Sequence, residues 1–370
     1  MSFERTESAL LIPALLGQMS RGLDRTPAAI IDALQRRGVT VHLGVADDLD
    51  LDPVRSMYGV QLKDVEMVPA APPSDAPLLG RLNRVLRPIR LRIANRSLTR
   101  PYDLTIVQNR GIPLVPHSDQ AALFCEFPDP NPTGKQLRRL AGFDLILANS
   151  HFTARWIERY WGVAADVLYP SVHEPGIGPK SKTILSVARF YQSGRPKGHW
   201  DLIEAFKRLV DRGTRDWELV LAGLSTHPDV HRRMEDAASG YPIRFLLDAD
   251  IERLSEAYRE AAIFWHGAGL GVDPEAEPGR LEHFGITVAE AMCAGAVPLV
   301  HGVGGPVEIV ADHACCWANL EELVDKTEEL IREPDQLARR GAEASESAIA
   351  RFGVDAFAHN VERLFLQGRR

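Results

Sequence analysis

The chain has 370 residues, 45% hydrophobic and 25% charged, which is long for one ordinary domain and suits two of about 170–190 residues each. A net charge of −7 excludes a global basic field for nucleic acid, and the longest uncharged apolar runs, such as "SALLIPALLG", are too short to span a bilayer. No basic start with a small-residue cleavage site marks a signal peptide, and the four cysteines lack C-x-x-C spacing, so reduced thiols in a cytoplasmic protein are expected.

In chain order, "ALLIPAL" predicts a strand, then a Gly-containing loop and the helix "PAAIIDALQRRG", which Gly38 closes. "VTVHLGV", "DLTIVQ", "AALFCEF" and "LILANS" predict further strands, and Ser150 is placed to cap the helix "HFTARWIERYWG" before the strand "ADVLYP". Residues 173–182, "HEPGIGPKSK", have no periodicity and read as a linker between a first domain, 1–172, and a second beginning at 183. The pattern restarts with the strand "KTILSVAR", the helix "HWDLIEAFKRLVDRG", the strands "WELVLAG" and "PIRFLL", and the helix "DIERLSEAYREAA". "IFWHGAGLG" and "AVPLVHGVGG" are strands running into Gly-rich turns, and the last 50 residues read as helical. Repeated strand–helix alternation predicts an α/β protein of parallel sheets covered on both faces. A ligand is then expected in the cleft between two such halves, outside the carboxyl ends of the strands.

Residues 280–300, "RLEHFGITVAEAMCAGAVPLV", put Glu282 ahead of a helix expected to open at Gly285, and Glu290 within it. The first N–H groups of that helix have no internal partners and carry about half a positive charge, and Gly285 lets an anion approach the backbone. Glu290 lies five residues on, about 7–8 Å along the axis. A carboxylate accepts two hydrogen bonds side by side, which suits a vicinal diol. A ligand with a central diphosphate and a diol at each end, the form of a nucleotide sugar, fits this pattern. The spacing equally describes salt-bridged surface acids around a core helix, since acids are 50 of 370 residues.

The wording around the pair carries more. "EHFGITVAEAMCAGAVPLVHGVGGPVEIV", with "ILSVARF", "KGHWDLIEAF", "WELVLAG" and "SEAYREAAIFWHG", resembles the E-x7-E region of the retaining glycosyltransferases of family 4 over most of the C-terminal half. The resemblance implies a GT-B fold: two Rossmann-like, doubly wound domains facing a cleft, the second over 183–350. Residues 351–370 would form a C-terminal helix crossing back to the N-terminal domain. It implies that Glu282 contacts the donor sugar and that the backbone of Phe284, Gly285, Ile286 and Thr287 meets sugar and diphosphate. Glu290 would bind the ribose hydroxyls, and Arg189 and Lys197 would neutralise the leaving diphosphate without a metal or other cofactor. The family sets that basic pair about five residues apart. Here "RFYQSGRPK" spaces it by eight, so Arg195 is a possible substitute for either; apart from the resemblance, the two are an ordinary solvated loop pair.

In the N-terminal half, "RGLDRTPAAIIDALQRRG" aligns with the family's Gly-Gly-x-Glu-Arg loop and helix. Gly22 matches the second glycine, Arg21 replaces the first, and Asp24 stands at the usual glutamate. In "LFCEFPDPNP", Glu126 occupies a position where many relatives carry a histidine close to the reacting sugar. A carboxylate there acts as a base toward the acceptor, binds a sugar hydroxyl, or signals impaired transfer; one residue does not choose among these. The stretch 81–100, "RLNRVLRPIRLRIANRSLTR", holds Arg84, Arg87 and Arg90 among seven arginines and no acid, interleaved with apolar residues at near-helical spacing. It reads either as a basic amphipathic surface for an anionic membrane or as a solvated helix paired with acids elsewhere.

Other signals carry less. "HGAGLG" has the wrong spacing for a dinucleotide fingerprint, and Asp248-Ala-Asp250 reads as a helix start with Asp250 as N-cap rather than a metal motif. His266, at a strand end, has a donor-contacting and a structural reading of equal standing. The resulting expectation is a metal-independent retaining hexosyltransferase that uses a nucleotide-sugar donor and a glycan or lipid-linked acceptor. "EHFGI" with "GGPVEIV" is similar to cytosolic mannosyltransferases that extend lipid-linked oligosaccharides, which favours GDP-mannose over UDP-linked donors. It would be cytoplasmic, with peripheral contact at the inner face of the membrane and no nucleic-acid partner. The rival readings are an epimerase or hydrolase on the same fold, and a noncatalytic nucleotide-sugar-binding protein.

Overall fold

A computed structural model of the chain describes residues 6–13, 25–45, 49–70, 95–109, 111–112, 114–190, 197–225 and 228–367. Gly22 with Arg21 and Asp24, Arg195, and Arg84, Arg87 and Arg90 of the basic stretch lie outside the described residues. The chain divides into two units, one of residues 1–171 with 355–370 and the other Val172–Val354.

The first unit is built on a seven-stranded sheet in the order β3-β2-β1-β4-β5-β6-β7. Its strands are β1 Ser8–Ile12, β2 Thr40–Val45, β3 Glu66–Pro69, β4 Leu104–Gln108, β5 Gln120–Cys125, β6 Leu145–Ala148 and β7 Asp166–Val167. Every pairing among them is parallel. Alternate residues serve opposite faces, as the two-residue strand period requires. Ala122 and Phe124 of β5 join one apolar cluster, with Ile30, Ile31 and Leu34 of helix α1, Arg25–Gln35. Ala121, Leu123 and Cys125 join the other, with Ile157 and Trp161. Those two residues lie on His151–Trp161, a helix started by Ser150, whose Oγ accepts the Thr153 N–H at 3.0 Å, and stopped by Gly162 at φ 69°.

The second unit has a six-stranded parallel sheet in the order β10-β9-β8-β11-β12-β13. The strands are β8 Ser181–Val187, β9 Glu218–Gly223, β10 Ile243–Leu247, β11 Ala261–His266, β12 Val297–His301 and β13 Cys316–Trp317. Ile184, Leu219, Leu221, Ile263, Trp265, Val297 and Leu299 pack with Leu202, Phe206 and Leu209 of the helix His199–Asp211 in the main core. Residues 173–180 have no regular structure but are tied into this unit: the Lys180 ammonium donates to the carbonyls of Ala294 at 2.6 Å and Arg259 at 3.0 Å.

In both sheets the strand order reverses once. β1 pairs β2 on one side and β4 on the other, and β8 pairs β9 and β11. Loops leaving the carboxyl ends of two such strands diverge to opposite faces and leave a crevice there. Among the described residues no helix is long and apolar enough to cross a membrane.

The helix Val354–Phe365 sends Phe357, Val361 and Phe365 into the core of the first unit, each no more than 3% exposed. Replacing Phe357 by alanine should therefore lower stability in denaturant unfolding by about 3–5 kcal/mol. The same change at Ile349, 40% exposed on the preceding helix, should stay within about 0.5 kcal/mol.

Candidate active site

The loop leaving β8 is pinned where it starts. Ala188 N–H donates to Ala222 O at 2.9 Å and Phe190 N–H to Leu224 O at 3.0 Å, which holds Arg189 at the carboxyl end of the strand. Phe190 is fully buried, its ring stacked on His199 at 4.4 Å. The loop then returns through Gly198, at φ 77°, where a Cβ would lie 2.4 Å from the Gly267 carbonyl oxygen. With no side chain there, the β8 loop meets the loop leaving β11 backbone to backbone. That approach sets Lys197 beside Glu282, Nζ to Oε2 at 2.6 Å, their side chains 16% and 25% exposed. Glu282 is gripped from behind by the turn after β12. Gly305 N–H donates to Glu282 O at 2.8 Å, and a Cβ on Gly305 would fall 2.1 Å from His283 O.

Four imidazoles surround this pair. His199, His266, His283 and His301 are 4–8% exposed. Burial pushes His266 and His199 down to about 4 and lowers His301 as well, and the Lys197 charge adds to the first two. His266 Nδ1 and His301 Nδ1 have no hydrogen-bond partner among the described residues. Glu282 goes the opposite way. Burial raises its carboxyl, but the Lys197 charge and hydrogen bond, with His266 and His283, outweigh that and hold it at about 2. At neutral pH one carboxylate and one ammonium thus face each other, with the His266 and His199 rings uncharged.

The helix Ile286–Cys293 begins after Gly285 at φ 107°. Its first two residues, Ile286 and Thr287, are partly exposed, whereas Val288 to Cys293 are buried. The Phe284 ring is buried, edge-on to Phe352 at 5.5 Å, and Gly285 is buried as well, so the partly exposed residues at the helix start are Ile286 and Thr287. Glu290 is only 8% exposed. Its Oε2 accepts the Tyr258 hydroxyl at 2.9 Å and its Oε1 the His173 N–H at 3.4 Å. The His173 ring in turn meets Ser255 Oγ at 2.8 Å. The two glutamates are therefore not a salt-bridged surface pair around a core helix: one faces an ammonium, and the other is buried against a neutral hydroxyl and a backbone amide.

In the first unit, Glu126 follows β5 and Gln108 ends β4, so both stand at carboxyl strand ends. Gln108 Nε2 donates to Glu126 Oε1 at 2.7 Å, and Thr153 Oγ1 donates to Glu126 O at 3.1 Å. Asp250 is the N-cap of the helix Ile251–Glu260, accepting Arg253 N–H at 2.8 Å, and Asp248 accepts Ser225 N–H at 3.0 Å. Both acids of the D-x-D thus serve local backbone. Among the described residues no group of three or more His, Cys, Asp or Glu side chains is arranged to hold a metal.

Tyr258, His173, Gly198 and Gly305 were not singled out from sequence. The glycines had a signal, since each lies in a quoted loop motif. Tyr258 and His173 meet Glu290 across 32 and 117 residues, a pairing that no local spacing reports.

The imidazoles give the protein an acid sensitivity. A histidine whose folded value lies below 6.5 contributes stability that is complete above that pH and lost as pH falls toward about 4. Each such ring is worth on the order of 3 kcal/mol across that window. Melting temperature followed from pH 7 to pH 4 should fall, and His199→Gln should flatten the fall.

Residues 172–347 match the family described as Glycosyl transferases group 1. The chain is 29% identical over 210 residues to a GDP-Man:Man(3)GlcNAc(2)-PP-Dol alpha-1,2-mannosyltransferase of Neurospora crassa, covering 46% of this chain and 35% of that protein. It is 28% identical over 195 residues to the Homo sapiens protein of the same name, covering 46% and 36%. The chain therefore spans about a third of the length of these relatives. Among solved structures it is similar to the apo form of the lipopolysaccharide outer core galactosyltransferase WaaB, with TM-score 0.65 and 13% identity over 97% of this chain and 99% of that one. Residues 172–347 are thus similar to the group 1 glycosyl transferases, and the two parallel-sheet units have the GT-B fold.

Proposed function

We propose that the protein is a retaining glycosyltransferase that moves a hexosyl group from a nucleoside-diphosphate sugar to an acceptor hydroxyl on a glycan or lipid-linked glycan. GDP-mannose is the preferred donor in this reading, supported by the names of the mannosyltransferases to which the second unit is similar. The observation that carries the reading is the assembly at one strand-order reversal of Arg189, Lys197, Glu282 and the exposed start of Ile286–Cys293, with Glu290 buried beyond them.

Each part has a physical task. The backbone of Gly285, Ile286 and Thr287 meets the diphosphate, where unpaired amides favour an anion. Glu282 accepts hydrogen bonds from the sugar, and Glu290, held by Tyr258, accepts them from the ribose. In the transfer step the bond from the anomeric carbon to the β-phosphate oxygen breaks. The acceptor oxygen attacks from the same face, and its proton passes to the departing diphosphate. Negative charge grows on that diphosphate, and Arg189 and Lys197 stabilise it without needing a metal. Glu126, held by Gln108, acts as a base toward the acceptor hydroxyl or binds a sugar hydroxyl. The basic stretch with Arg84, Arg87 and Arg90 adds peripheral contact with an anionic cytoplasmic leaflet, each arginine worth about 1 kcal/mol near the surface.

A thermal-shift screen against GDP, UDP and ADP and their hexose conjugates tests the donor, since a ligand of the folded state raises its melting temperature. GDP-mannose should give the largest shift, and Glu290→Ala should lose most of the nucleotide response. Arg189→Ala should reduce kcat by about 10²–10³. Product released with inverted anomeric configuration, read by NMR, would contradict the mechanism.

A further inference from the structure

Within the Lys197–Glu282 pair the two partners differ in freedom. The Glu282 backbone is clamped through Gly305 N–H to its carbonyl at 2.8 Å, and a Cβ on Gly304 would lie 2.5 Å from that same carbonyl oxygen. The Glu282 backbone therefore stays with the turn after β12. Lys197 is held at its base by the Gly198 contact with Gly267, but its ammonium rides on a four-carbon stem. The side chain can swing while the loop stays in place.

Two anions therefore compete for one ammonium, the carboxylate of Glu282 and the diphosphate of an incoming nucleotide. If Lys197 turns to the diphosphate, Glu282 is left ionised and mostly buried, which is strongly unfavourable without a replacement partner. His266, which acts on Glu282, is held neutral by burial and does not replace it. What can replace it is a hydroxyl donor arriving with the nucleotide. A nucleoside diphosphate that carries a sugar brings such donors, and the bare diphosphate brings none.

We propose that the Lys197–Glu282 ion pair makes this site discriminate a sugar-bearing nucleotide from the bare nucleoside diphosphate left after transfer. The inference rests on the nucleotide-sugar reading above and adds a selectivity and product-release role. Once the sugar has gone, Glu282 regains its claim on Lys197, the diphosphate loses a cation, and it leaves. The pair holds the resting site closed on itself and opens only for a ligand able to satisfy both of its charges.

The test is a double-mutant cycle on the full chain, by calorimetric titration with GDP and GDP-mannose, and with UDP and UDP-glucose. The wild-type protein should bind the sugar-bearing form about tenfold more tightly than the bare diphosphate. Glu282→Gln frees Lys197 and should tighten GDP binding about tenfold, so that the preference for GDP-mannose largely disappears. In a Lys197→Gln background the same Glu282→Gln change should bring no such gain. An equal gain in both backgrounds would mean that Glu282 merely repels the diphosphate, and would overturn the proposal. So would GDP affinity in Glu282→Gln equal to or weaker than wild type. Loss of folding is separated by circular dichroism. Wild-type protein that binds none of the four ligands would remove the nucleotide-sugar reading itself, whereas failure confined to the cycle leaves that reading standing.

Discussion

The second unit is organised around bringing a carboxylate and an ammonium to 2.6 Å in a largely dry setting. Charges taken from water on this scale persist only when each meets the other in good geometry. The geometry comes from three loops, each leaving the carboxyl end of a neighbouring parallel strand: Lys197 after β8, Glu282 after β11, and the Gly304–Gly305 turn after β12. Two glycine contacts let these loops meet backbone to backbone, at Gly198 on Gly267 and at Gly305 on His283. The strand order sets which loops are neighbours, and the glycines set how near they come.

The two glutamates of the motif show how surroundings divide one residue type between roles. Glu282 is poised against a movable cation and can change partner. Glu290 is held by a fully buried tyrosine and a backbone amide. Such a difference suits a ligand whose one end is chemically transformed while its other end is only held. In the first unit Gln108 holds Glu126 through a neutral amide.

The β-strand and long-helix framework was largely legible because its periods are strong. Strands such as Leu104–Gln108 and Val297–His301 are buried along their whole length, and the long helices carry clear apolar faces. Shorter elements escaped. The strand Glu66–Pro69 is four half-exposed residues at the sheet edge, and the helix Gly134–Arg139 buries none of its residues. Its support is local, the reciprocal bonds of Thr133 and Gln136, which a search for apolar faces passes over. Pro228–Ala238 is mostly polar and escaped for a similar reason. At the site, Arg189, Lys197, Glu282 and Glu290 were visible because their motif wording is distinctive. The ammonium–carboxylate contact across 85 residues was not, because periodicity reports which face a residue takes and nothing about what folds onto it.

The helix Val354–Phe365 gives the molecule an order of assembly. Its apolar residues complete a core whose other members, from Ala9 to Leu168, emerge from the ribosome almost two hundred residues earlier. Until that helix is made, the earlier unit presents an uncovered apolar seam to solvent, and the intervening unit has time to fold before the seam is sealed. Nascent chains stalled just short of residue 354 should thus be the forms most in need of a chaperone.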